Sequence, residues 1–147
     1  MRRACVSAEF RAFAGGGTSP VVSRLRGLAR LAHAECGGPG VGAVGLCFTG
    51  NCALTMALEP AVIAPVVNHP SLPLDDPGGL EISDEDAAAV AERVARDGLQ
   101  VLAYRFENDS WCPGQRFAAY RALLGDAFDG RVLDAETANP NPPPFSP

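Results

Sequence analysis

Cys47 stands in the segment Gly45-Leu46-Cys47-Phe48-Thr49-Gly50, between a short apolar run and a small-residue stretch of helical character. A thiol placed on a tight turn from strand to helix is how a hydrolase displays a nucleophile. The turn is so sharp that the nucleophile must accept strained dihedrals, and its neighbours two positions away on either side must be small. Gly45 meets that demand ahead of the cysteine. Thr49 fits it less well, and Gly50 arrives one place late. The sulfur then faces the amino end of the following helix, whose N–H groups and dipole favour a thiolate. The Phe48 N–H would supply half of an oxyanion hole. As a bare pattern Gly-x-Cys-x-x-Gly is weak, because free cysteines are among the most buried side chains. The flanking strand and helix are what give it meaning.

Asp109 is the candidate acid. It sits three residues past an apolar run ending at Phe106, and in the hydrolase order the acid follows the nucleophile and precedes the histidine. Asn108-Asp109-Ser110 is also good turn chemistry ahead of a Pro-opened helix, so a capping role competes with a catalytic one. The two histidines, His33 and His69, both precede Asp109. His33 falls inside a helix and reads as a surface or packing residue. His69 follows a strand but breaks the usual order for a base. His33, Cys36, Cys47 and Cys52 are close in sequence, yet their spacing fits no common zinc pattern, so a metal site is not expected.

The elements that must position these residues follow from periodicity. A loosely alternating stretch, 4–13, reads as a strand or its remnant, and a glycine run at 15–17 breaks it. Ser19-Pro20 opens a helix with apolar residues at Val21, Val22, Leu25, Leu28, Ala29, Leu31 and Ala32. Val41–Leu46 has no polar alternation and reads as a strand buried on both faces. A helix over Gly50–Leu58 follows, then a second strand over Val62–Val67 that Pro65 makes less favourable. Ser83 with Asp86 caps a helix to about Asp97, where Gly98 closes it. Gln100–Phe106 is a strand, Pro113–Leu124 a helix, and Gly130–Asp134 a last strand. Strands alternating with helices predict an α/β fold, a mostly parallel sheet of about four strands with helices on both faces. The expected domain spans 1–135, and the Pro-rich tail 136–147 is expected to be disordered.

The totals bound the function. The 147 residues suffice for one modest core, and 47% of them are hydrophobic. A net charge of −5, with all 12 cations arginine and scattered, argues against a nucleic-acid partner. Apolar stretches fall short of a membrane span. Five cysteines without framework spacing, and no signal-peptide core near Met1, point to the cytoplasm.

With the elbow and the acid loop in hand, the chain resembles the dienelactone hydrolase family, α/β-hydrolases with a cysteine nucleophile. The segments Gly37–Gly50 and Val101–Asp109, continued by Cys112–Phe117, carry the resemblance, which spans about Cys5 to Asp134. It implies a partial α/β-hydrolase fold, Cys47 as nucleophile, Asp109 as the acid that orients a histidine, and cleavage of a small-molecule ester or lactone through an acyl-enzyme without a cofactor. It also implies further strands ahead of this chain and a histidine beyond its end, so this chain is expected to be a truncated member, impaired in turnover. On that reading Val41–Leu46 becomes an edge strand able to pair with another chain, giving a possible self-association. A non-catalytic interaction module, or an incomplete gene product, is the alternative.

Overall fold

A computed structural model describes residues 19–137, 139 and 141. The expected strand over 4–13 lies outside those residues, as does most of the tail. Helix α1 (Pro20–Cys36) starts where Ser19 Oγ accepts the Val21 N–H, and ends at Gly37 with φ 70°. Strand β1 (Val41–Leu46) leads through a 3-10 turn (Cys47–Thr49) into α2 (Gly50–Met56). Then come β2 (Val62–Asn68), α3 (Asp84–Asp97), β3 (Val101–Phe106), α4 (Gly114–Leu124) and β4 (Phe128–Leu133). Ser83 Oγ accepts the Asp86 N–H at 3.1 Å, and Gly98 adopts the left-handed conformation that ends α3.

The four strands form one all-parallel sheet in the order β1-β2-β3-β4. Pro65 is tolerated because β2 pairs with β3 only from Val66 to Asn68, beyond the residue that lacks an N–H. Paired residues share a face. Ala43 and Val67, with Val101, Ala103 and Phe128, lie on the face that buries Leu54 of α2, Val90 and Val94 of α3, and Phe117, Tyr120 and Leu124 of α4. Ala29 of α1 joins Ala43, Ala53 and Val62 on that same side.

The helices therefore do not divide between two faces as expected. Parallel crossovers are right-handed, so when each strand is laid down beside the last in one direction, every connecting helix falls on the same side. Helices on both faces require the strand order to reverse, and it does not reverse here. Sequence periodicity predicts strands and helices but not the order in which strands lie. For the same reason β1 is buried on one face only: Ala43 is 5% exposed while Val44 and Leu46 are 67% and 52% exposed. Among the described residues β1 is also an edge strand.

Two arginines hold the short helix α2 by its carboxyl end. Arg26 Nη2 donates to the Thr55 carbonyl at 2.8 Å. The Arg93 guanidinium, reaching from α3, donates to the carbonyls of Ala57, Glu59, Pro60 and Val62, and its Nε pairs with Asp97 at 3.1 Å. These carbonyls lie at the helix end and the turn that follows, where backbone acceptors lack helical partners. Tyr120 is fully buried; its hydroxyl donates to Asn51 Oδ1, while Asn51 Nδ2 donates to the Leu72 carbonyl at 3.0 Å. The helix behind Cys47 is thus fixed to α4 and to the loop after β2.

Candidate active site

The chain passes from extended at Leu46 (φ −121°, ψ 133°) to a 3-10 turn at Cys47, which takes φ 53°. A non-glycine residue in that region costs about 1–3 kcal/mol and persists only where its surroundings impose it. Three contacts impose it. Thr49 Oγ1 donates to the Leu46 carbonyl and accepts the Leu46 N–H, both at 2.9 Å, which ties the turn back to the strand end. Gly45 packs against the Thr49 backbone so closely that a Cβ there would lie 2.2 Å from the Thr49 oxygen. Gly50 packs against Pro70, whose Cβ would be 2.6 Å from a side-chain carbon at position 50. The sequence pattern is thereby refined. Thr49 need not be small, because its hydroxyl completes the strand end, and Gly50 is required by the loop after β2.

That loop also supplies a partner for the thiol. Ser71 is 1% exposed, its N–H donates to the Cys47 carbonyl at 3.2 Å, and its Oγ lies 3.3 Å from Cys47 Sγ. Sequence reading passed over Ser71. The one available signal was its place three residues past the end of β2, the strand beside β1. His69, two residues earlier, is the other non-glycine residue with positive φ among the described residues, at 33°, and its N–H donates to the Tyr104 carbonyl at 2.7 Å. Two residues with positive φ thus stand at the carboxyl ends of neighbouring strands.

Asp109 lies past the end of β3. Its Oδ1 accepts the N–H groups of Trp111 and Cys112 at 2.9 and 3.0 Å, so it caps the turn into α4. Of the two readings open at this residue, the turn is the one that has contacts: Oδ1 serves it, while Oδ2 has no hydrogen-bond partner among the described residues. Arg105 Nη1 holds the same loop through the carbonyls of Phe106 and Glu107 at 2.9 and 3.2 Å. Between Cys47 and Asp109 stands β2, so the two are separated by two strand spacings, about 10 Å. No contact joins them directly. His69 sits on the intervening strand end, and its ring has no hydrogen-bond partner among the described residues. His33 is remote: its Nε2 lies 3.0 Å from the Gly38 carbonyl at the end of α1.

Two of the other thiols, Cys112 and Cys52, are buried, whereas Cys36 is exposed at the end of α1. Cys112 is 0% exposed, and its thiol is pushed up to about 12, first by burial and then by the charge of Asp109. Burial likewise raises Cys52. Cys47 is half-buried at the sheet edge, and Phe48 follows it in the same turn. Among the described residues no three His, Cys, Asp or Glu side chains are grouped to hold a metal, and no helix is long and apolar enough to cross a membrane.

No family model matches the chain, and searches of curated proteins and of solved structures return no match.

Proposed function

We propose that Cys47 is the nucleophile of a hydrolase of the dienelactone type, cleaving a carboxylic ester or lactone. The observation that carries this reading is the backbone of Cys47, a cysteine held at φ 53° between a parallel strand and a helix with Gly45 packed beneath it. A buried structural cysteine has no need of that geometry. In the proposed reaction the thiol proton leaves to a base or to water, and the sulfur attacks the ester carbonyl. Collapse of the tetrahedral adduct breaks the C–O bond and gives a thioester, with the departing alkoxide taking a proton. Water then cleaves the thioester to release the acid and restore the thiol. The N–H of Phe48, next in the turn, would serve as a backbone oxyanion donor. Asp109 would orient an imidazole placed across the gap of about 10 Å between strand ends β1 and β3. A cytoplasmic setting belongs to the same proposal, supported by four described cysteines that are all unpaired.

The test is turnover of a chromogenic acetate ester by the wild type and by Cys47→Ala. A Cys47-dependent rate supports the reading, and equal background rates overturn it. His69→Ala then asks whether the histidine on the intervening strand has been recruited as base; a large loss would show that it has.

A second reading is favoured by a different observation. Val44 and Leu46 are 67% and 52% exposed on an edge strand with neither charge nor proline. Such an edge templates pairing with another chain. On this reading the protein is a non-catalytic interaction module that self-associates through β1. Sedimentation at high concentration tests it, and a clean monomer counts against it.

A further inference from the structure

We propose that Ser71 is the positioning residue of Cys47, its hydroxyl orienting the sulfur and donating to it once the thiol proton has left. The inference rests on the hydrolase reading and adds a residue that neither the motif nor the resemblance names.

Ser71 is 1% exposed, and the contact of its hydroxyl with Cys47 Sγ at 3.3 Å is that hydroxyl's one partner among the described residues. A buried hydroxyl costs about 1–3 kcal/mol without a hydrogen bond, so the sulfur is what accommodates it there. The contact is also prealigned. Ser71 N–H donates to the Cys47 carbonyl at 3.2 Å, and Pro70 packs against Gly50 just after the turn. Backbone and side chain of the loop after β2 thus grip one residue of the elbow at two points. A hydroxyl can accept from a thiol and donate to a thiolate, and a bond to the charged form is the stronger of the two. The pair therefore limits the rotation of the Cys47 side chain and keeps a hydroxyl donor facing the sulfur.

Site-resolved alkylation of the full chain by iodoacetamide, followed by peptide mass spectrometry across pH 5–10, tests this. Exposed Cys36 serves as the internal standard. The wild-type Cys47 is expected to react faster than Cys36 at neutral pH. Ser71→Ala removes only the hydroxyl and keeps the N–H bond to Cys47. It is expected to slow Cys47 labelling about tenfold at pH 7, the loss of one charge-assisted hydrogen bond. It should also move the labelling midpoint to higher pH and leave Cys36 unchanged. Ser71→Thr, which retains the hydroxyl, should restore the midpoint. A purely structural role predicts the opposite pattern: a loosened loop would speed labelling at every pH without moving the midpoint, and that result overturns the proposal. Unchanged labelling in Ser71→Ala, with Cys47 still faster than Cys36, overturns the role of Ser71 and leaves the hydrolase reading intact. A wild-type Cys47 no faster than Cys36 overturns both.

Discussion

Gly45 and the carbonyl of Thr49 occupy a space that admits no further carbon: a Cβ on Gly45 would lie 2.2 Å from the Thr49 oxygen and 2.8 Å from its carbon. Both atoms belong to the backbone of the turn, so neither can swing aside. Gly45→Ala is expected to destabilise the fold by about 2 kcal/mol or more and to abolish any Cys47-dependent reaction. Gly42→Ala is the control. Its Cβ would meet Ala64 O at 3.5 Å, an ordinary contact, so near-wild-type denaturation is expected. Urea midpoints of the two variants check the difference; equal midpoints would show that the elbow relaxes.

Asp109 separates its two roles by substitution. Asn keeps an oxygen for the N–H groups of Trp111 and Cys112, while Ala removes it. Asp109→Ala should cost about 1 kcal/mol and Asp109→Asn a few tenths at most. If Asp109 also orients a catalytic imidazole, Asp109→Asn will keep the stability yet lose ester turnover by tenfold or more. Loss of turnover only in the Ala variant would assign Asp109 to the turn alone.

Arg93 is 6% exposed and donates to four carbonyls at the end of α2 and the turn after it. Arg93→Met fills similar volume but leaves those acceptors without their donor. A loss of about 3 kcal/mol is expected in chemical denaturation. A loss below about 1 kcal/mol would mean that water replaces the guanidinium at no great cost.

Alkaline stability follows from Cys112. Its thiol is raised from the usual 9.0 to about 12 by burial and by Asp109. The folded state therefore holds this proton longer than the unfolded chain does. Its contribution is complete below pH 9 and is lost as pH climbs from 9 to 12. Tyr120, raised by burial, acts in the same direction at higher pH. Stability measured from pH 8 to 11 should fall in the wild type and fall less steeply in Cys112→Ala. Parallel slopes would show that Cys112 does not titrate with unfolding.

Much of the elbow was legible in the residues themselves. A strand, a glycine two places before the cysteine and a helix after it are local features, and the backbone at Cys47 has the form they imply. Asp109 was legible only as a choice between acid and cap, because a turn carboxylate and a catalytic one share the same neighbours in sequence. Ser71 could not be found that way, since it reaches Cys47 from 24 residues along the chain.

The sequence by itself determined the alternation of strands and helices, the caps at Ser19, Ser83 and Gly98, and the sharp turn at Cys47. Each depends on short-range sterics and hydrogen bonding within a few residues. Tertiary structure alone decided that the strands lie in the order β1-β2-β3-β4, that the four helices of the described residues gather on one face, and that Val44 and Leu46 are left exposed. Those outcomes depend on which strand settles beside which. The right-handed crossover then converts that order into the placement of the connecting helices α2, α3 and α4, and adjacent strand ends bring Ser71 against Cys47 while keeping Asp109 two strands away.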